Sequence, residues 1–147
     1  MPPKYESKND EWVSNRIRES LARCACMQLK KNPGGGTVNH RNFFEVIKQD
    51  RELILEQFSI YSPDFIISCG SNDNWVAFTQ ILFATENDQY KYTQNGVQYF
   101  IVRLNNSNRK TAIINFGHPS MRLNGTLWGP LLFGLRQAID EIQLELN

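Results

Sequence analysis

The chain has 147 residues and a mass of 17.1 kDa, which is the size of one ordinary domain. Its apolar fraction of 41% is enough for a hydrophobic core and argues against a disordered chain, and no apolar run approaches the roughly 18 residues of a membrane-spanning helix. The formal net charge is +1, and nothing in the sequence resembles the strongly basic stripe of a protein that holds DNA by charge alone.

The first part of the chain is predicted to contain an arm, two helices and a strand. Residues 1–10 are charged, lack the apolar core of a secretory signal, and are expected to form a loose N-terminal arm. The spacing of apolar residues predicts a helix over 11–23, and the apolar run 24–29 predicts a buried strand. The Pro-Gly-Gly-Gly sequence at 33–36 breaks the chain, and a helix is predicted over 42–58. Its buried stripe would consist of Phe43, Ile47, Ile54 and Phe58.

The rest of the chain alternates strands and helices around a hairpin. The predicted elements are a strand at 65–70, a helix at 74–84, hairpin strands at 90–94 and 97–102, a strand at 111–116 and a helix from 127 or 130 to 146. The run at 65–70 is continuously apolar and ends in glycine, which is typical of a central parallel strand. Asn95-Gly96 is the strongest hairpin signal in the sequence.

This order of elements predicts an α/β fold: a three-layer domain with a mainly parallel central sheet and a β-hairpin insertion. We expect one domain over residues 11–147, either part of a longer protein or a naturally short form. Parallel strands end at one edge of a sheet, where open α/β sheets bind ligands. Three loops are expected to meet there: the loops after Gln28 and Cys69, and the loop that holds His118.

The loop Gly117-His118-Pro119-Ser120 is the sharpest chemical feature of the sequence. A histidine at the carboxyl end of a strand can stabilise an anion that forms on a substrate oxygen, so His118 is the candidate catalytic residue. Pro119 would make the turn rigid, and the hydroxyl and backbone N–H of Ser120 could hold a phosphate. The alternative is a histidine that only closes the strand end.

A second group of candidates surrounds the predicted strand 24–29. The amide of Gln28 could pair with a donor and an acceptor on a base edge, or it could be satisfied by backbone groups. Lys30 and Lys31 could hold a phosphate or be solvated. The glycines at 34–36 lack the Lys-Ser/Thr of a phosphate-binding loop, so a flexible loop is the default interpretation.

Other catalytic and metal motifs are missing from the sequence. It contains no GxSxG and no HExxH, and only two histidines. Cys24, Cys26 and Cys69 are too few for a disulfide framework and lack CxxC spacing, so buried, reduced thiols are expected. We therefore expect no metal and no cofactor, and a protein that is cytoplasmic or nucleoid-associated and not secreted.

Charge is unevenly distributed along the chain. Residues 1–88 carry ten basic and twelve acidic side chains, whereas residues 89–147 carry six and three. No acid occurs over 89–139, whereas all six of those basic residues, Arg122 among them, lie there. We expect a surface that tolerates anions, with Arg122 as a further candidate for phosphate binding.

The ordered set of motifs resembles the later part of a uracil-DNA glycosylase superfamily domain. The resemblance rests on Cys-Met-Gln-Leu-Lys-Lys at 26–31, a glycine-rich turn, an amphipathic helix, Pro-Asp-Phe-Ile-Ile-Ser-Cys-Gly at 63–70 and Phe-Gly-His-Pro-Ser at 116–120. It covers most of the chain, from about Arg16 onward, and its one specific motif is the His-Pro-Ser loop.

The resemblance implies base excision in DNA repair: such hydrolases flip a base out of DNA and hydrolyse its N-glycosidic bond. By similarity, His118 would stabilise the departing base, Gln28 would read it, and Pro119 and Ser120 would press on the DNA backbone. The first motif of the family, which positions the attacking water, is not found before Arg16. Gln28 also stands where the family usually has the shorter Asn. Catalysis is therefore expected to be weak or lost.

Three hypotheses follow for the function. The first is a glycosylase-like domain that binds DNA, including single-stranded DNA, or another nucleobase-containing ligand. The second is a catalytically inert protein-interaction module, such as a homodimer, with its interface on the hairpin edge around residues 89–92. The third is a sensor that binds a free nucleotide at the glycine-rich loop.

Overall fold

Ten helical or extended segments make up the described part of a computed structural model of the chain. The structure describes residues 10–27, 29, 40–70, 72–86, 89–104, 108–117 and 128–147. Its helices are α1 (Asp10–Leu21), α2 (His40–Gln49), α3 (Arg51–Tyr61), α4 (Asn72–Val76), a π-helical segment (Ala77–Leu82) and α5 (Trp128–Leu146). Its strands are β1 (Phe65–Gly70), β2 (Lys91–Tyr92), β3 (Gln98–Arg103) and β4 (Lys110–Gly117). In the part of the chain described, no helix is both long and apolar enough to span a bilayer.

The four strands form one open mixed sheet in the order β1-β4-β3-β2. The β1–β4 pairing is parallel, whereas β4–β3 and β3–β2 are antiparallel. The fold class is thus mixed α/β, but the expectation of a mainly parallel sheet is not confirmed. The physical reason is that the hairpin is part of the sheet and not an insertion outside it. Its strand β3 pairs antiparallel with β4, and strands adjacent in sequence are usually neighbours in space.

Strand β1 also differs from its predicted place in the sheet. It lies at one edge of the four strands described, where Ile67 is 37% exposed, so it is not central there. The expected neighbour, a strand over 24–29, is absent from the residues described there: Cys24 and Cys26 are exposed without strand structure, and burial of these two thiols was a wrong prediction. Only Met27 and Leu29 of this run pack on the core, so too few apolar side chains are buried to hold it as a strand.

Apolar side chains alternate between two clusters on opposite faces of the sheet. Phe100 and Ile113 belong to a cluster shared with α2, α3, α4 and the π-helical segment. Their neighbours Tyr99 and Ile114 belong to a second cluster, which includes Ile142 of α5. Successive side chains of a strand point to opposite faces, so β3 and β4 contribute to both clusters.

The predicted buried faces of the helices are confirmed, but one predicted helix is divided into two in the structure. The stripe Phe43, Ile47, Ile54 and Phe58 is buried as expected. The predicted helix over 42–58 is divided at Asp50, whose φ of −91° and ψ of 7° interrupt the α geometry between α2 and α3. In α5, Ala138 and Ile142 are fully buried and Leu135 packs on the second cluster.

The predicted helix over 74–84 changes from α to π geometry at Ala77. The hydroxyl of Thr79 donates to the carbonyl of Trp75 at 2.9 Å, which satisfies a backbone acceptor within this irregular turn. At the other end, the guanidinium of Arg51 donates to the carbonyls of Ile81 and Leu82, both at 2.9 Å. A side chain from α3 therefore caps the π-helical segment.

Candidate ligand-binding edge

The carboxyl ends of β1 and β4 lie side by side. Their parallel register pairs Cys69 with Phe116 and Gly70 with Gly117, so both strands end at the same level. The amide of Asn74 in α4 donates to the carbonyl of Cys69 at 2.9 Å and fixes the end of β1. Two of the three loops predicted to meet, those that follow Cys69 and Phe116, thus start from adjacent points.

The hairpin turn lies at this same edge of the sheet, because β3 runs antiparallel to β4 and starts beside its carboxyl end. Backbone hydrogen bonds join Thr93 N–H to Val97 O at 3.0 Å and Gly96 N–H to Thr93 O at 2.9 Å. Gly96 has a φ of +81°, so the connection is a three-residue loop whose last residue takes the left-handed conformation. The amide of Asn95 donates to the carbonyl of Gly134 at 2.8 Å and holds the turn against α5.

A row of polar side chains crosses all four strands next to this edge. The register aligns Ser68 of β1 with Asn115 of β4, and Gln98 of β3 with Tyr92 of β2. Asn115 and Gln98 are neighbours too, since the Asn115 amide donates to the Gln98 side-chain oxygen at 3.3 Å. The Gln98 amide in turn donates to the Tyr92 hydroxyl at 3.1 Å. We call Tyr92, Gln98, Asn115 and Ser68 the polar row.

The polar row lies on the same face of the sheet as the first apolar cluster, because Asn115 is two residues beyond Ile113. Side chains on this face change from the apolar Phe100–Ile113 pair to the polar row, and the next pair is Gly70–Gly117. Burial decreases along the row from β1 to β2: Ser68 of β1 is 3% exposed and Tyr92 of β2 is 63% exposed. These four residues were not recognised as one group from the sequence. A polar residue inside each of two predicted strands was visible, but their alignment required the strand register.

Two basic residues of the acid-free region, Lys91 and Arg109, pair with acids from outside it. The ammonium group of Lys91 pairs with the Glu145 carboxylate, and Lys110 donates to the Glu145 backbone carbonyl at 3.1 Å. Arg109 pairs with Asp64. These contacts attach α5 and the start of β1 to the sheet, away from the carboxyl ends of β1 and β4. Part of the uneven charge of the sequence is therefore explained by contacts that stabilise the fold.

Two cysteines lie within electrostatic range of each other near the end of β1. Burial raises the pKa of the Cys69 thiol, and the charge of the neighbouring Cys26 raises it further. Cys69 is half-buried and Cys26 is exposed. A thiol with a raised pKa is a poor nucleophile at neutral pH, so Cys69 is unsuited to covalent catalysis.

An open groove of about 540 Å³ lies beside the hairpin turn, between the turn and α5. Its lining residues are Gln94, Asn95, Gln137, Asp140, Glu141 and Leu144. The Glu141 carboxylate accepts the Gln94 backbone N–H at 3.0 Å, which fixes the wall of the groove. Two carboxylates make the groove unfavourable for a phosphate, so it is a poor candidate for a nucleic-acid path.

The candidate residues from the sequence lie outside the described residues. These are the catalytic candidate His118, the base-reading candidate Gln28, and the phosphate-binding candidates Pro119, Ser120, Lys30, Lys31 and Arg122. The glycine-rich loop at 33–36 lies outside them as well. Their proposed roles remain predictions. Of the described residues, Gly117 at the end of β4 directly precedes His118 in the sequence.

Within the described ranges, no group of three or more His, Cys, Asp or Glu side chains is arranged to hold a metal ion. Comparison with known proteins gives no relative: no protein-family model, no curated protein and no solved structure matches this chain.

Proposed function

We propose that this chain binds single-stranded DNA, or another ligand that contains a nucleobase, at the edge where β1 and β4 end. The observation that carries the proposal is the pairing of Gly70 with Gly117. Two glycines leave this end of the parallel pair without side chains, so a ligand can approach the backbone closely. His118 follows Gly117 directly in the sequence.

The charge of the sheet supports the same proposal. None of the residues of β1, β2, β3 and β4 is acidic, so no carboxylate of the sheet would repel a phosphate near this edge. Apolar clusters on both faces of the sheet support a three-layer arrangement, with α5 on one face and α2, α3, α4 and the π-helical segment opposite. Open α/β sheets commonly bind ligands at the carboxyl ends of their parallel strands.

Base excision is proposed only as a weak activity of this edge. The reaction would hydrolyse an N-glycosidic bond, with His118 donating a hydrogen bond to the oxygen of the departing base as negative charge develops there. The motif that would position the attacking water has no match before Arg16. Removal of one such group typically lowers the rate by about 10²-fold or more, so binding without efficient turnover is the expected behaviour.

The proposal is tested by fluorescence anisotropy with short uracil-containing oligonucleotides, single- and double-stranded, at low and moderate salt. His118→Ala is compared with wild type, and His40→Ala serves as the matched control because the chain has only these two histidines. Alkaline cleavage of the recovered DNA reports base loss.

We expect wild type and His40→Ala to bind, and His118→Ala to bind about tenfold more weakly. Alkali-labile sites produced by wild type alone would show glycosylase activity. If wild type binds no oligonucleotide at low salt, DNA binding is refuted, and a free nucleotide or a protein partner becomes the ligand to examine.

A further inference from the structure

We infer that the polar row is the surface on which a nucleobase lies, with its edge at Asn115 and Gln98 and its ring against Tyr92. This inference rests on the proposed function and adds to it the residues that would distinguish a base from a bare sugar–phosphate chain. Gln98 and Asn115 were not among the candidates from the sequence, whereas Tyr92 lies within the possible interface at 89–92.

The chemistry of the row selects the class of ligand. Asn115, Gln98 and Tyr92 are uncharged, so the row offers neither the positive charge that a phosphate needs nor the negative charge that a cation needs. It offers amide donors and acceptors next to an aromatic ring. Base edges present donors and acceptors in one plane, and bases stack on aromatic side chains.

The hydrogen bonds within the row orient its free groups. Gln98 accepts from Asn115 at 3.3 Å and donates to Tyr92 at 3.1 Å, which holds its amide in one orientation. Among the described residues, no group donates to the side-chain oxygen of Asn115, and Asn115 lies one row from the glycine pair. A preorganised amide of this kind loses little conformational entropy when a base edge pairs with it.

The dimensions of the row suit one nucleotide. Neighbouring strands are about 4.8 Å apart, so Asn115 and Tyr92, two strands apart, are separated by roughly 10 Å. This length accommodates a base with its sugar. Tyr92 is 63% exposed at the outer end of the row, where its ring is free to contact a planar ligand.

The test compares oligothymidylate with an abasic oligomer of equal length, which has the same phosphates and no bases. The ratio of the two affinities isolates base contacts, because phosphate contacts contribute to both. The variants are Tyr92→Ala, Tyr92→Phe and Asn115→Ala. Tyr61→Ala is the matched control, since Tyr61 is 61% exposed and lies on α3, outside the sheet.

We expect wild type to prefer oligothymidylate by about tenfold or more, since stacking and base hydrogen bonds each contribute about this factor. Tyr92→Ala and Asn115→Ala should lose most of the preference, whereas Tyr92→Phe and Tyr61→Ala should keep at least half of it. Tyr92 is exposed, so its substitution is not expected to prevent folding, and the test does not depend on Asn115 alone.

An unchanged preference in both alanine variants of the row would overturn the inference and leave the proposed function standing. Equal binding of the two oligomers by wild type would have the same meaning. If wild type binds neither oligomer, the proposed function and the inference fail together.

Discussion

Adding one methyl group to the chain should have opposite effects at two glycines that lie close to each other in the structure. Gly96 has a φ of +81°, and a Cβ built there would have no atom within 4 Å. The cost of Gly96→Ala is therefore a backbone cost, about 1–2 kcal/mol for an alanine in the left-handed region. Gly134 lies inside α5, where alanine is preferred to glycine by about 0.5–1 kcal/mol.

The neighbour of Gly134 decides whether that gain is realised. A Cβ at Gly134 would lie 3.4 Å from the side-chain nitrogen of Asn95, which is an ordinary contact. For a chain of this length, 1 kcal/mol changes the melting temperature by about 2–4 °C. We expect Gly96→Ala to melt about 2–8 °C below wild type and Gly134→Ala to melt up to about 4 °C above it.

Thermal unfolding followed by circular dichroism measures both effects, and Gly96→Asn adds a third point. Asparagine tolerates the left-handed region better than alanine, so Gly96→Asn should melt between Gly96→Ala and wild type. A Gly96→Ala variant as stable as wild type would refute the proposed turn geometry. A Gly134→Ala variant less stable than wild type would show that Asn95 cannot accommodate the methyl group while bonded to the Gly134 carbonyl.

Two further predictions concern contacts that hold the helices in place. Arg51→Lys leaves at most one of the two hydrogen bonds to the carbonyls of Ile81 and Leu82, so urea unfolding should show a loss of about 1–2 kcal/mol, whereas the exposed Lys48→Ala should change stability by less than about 0.5 kcal/mol. Burial, and secondarily the charge of a nearby carboxylate, raises the pKa of Tyr99 above 10.0; stability from this group is therefore complete below pH 10.0 and lost as pH rises through the folded-state pKa. Melting temperatures measured from pH 8 to pH 11 should fall more steeply for wild type than for Tyr99→Phe, and parallel curves would contradict the assignment.

Local sequence patterns predicted the elements whose type, helix or strand, follows from their own apolar pattern. β1 and β4 were predicted from continuous apolar runs, and α5 from its buried face, because burial of these residues is decided by their own composition. The hairpin was predicted from Asn95-Gly96, and Gly96 does adopt the left-handed conformation that makes this dipeptide informative.

Features that depend on pairing could not be obtained from the sequence alone. An apolar run such as 24–29 can form a strand only if a sheet edge accepts it, and in the structure two exposed cysteines lie within that run. The antiparallel pairing of β3 with β4 could not be predicted, because β1 and β4 are both apolar strands and either could have been the neighbour of β3. The polar row depends on that register as well, because a shift of one residue would place Gln98 on the opposite face.

The proposed binding would have two contributions, one from the charge of basic side chains and one from contacts to the base. The polar row itself carries no charge, and Lys91 of β2 is paired with Glu145. Any large electrostatic contribution is therefore expected from basic candidates outside the described residues, such as Lys30 and Arg122. Each phosphate contact should add about −0.7 to the slope of log affinity against log salt for a single strand. Preference for a base over an abasic site should instead be nearly independent of salt, because both oligomers carry the same phosphates. A base preference that disappeared at moderate salt would mean that loop charges, and not the polar row, recognise the ligand.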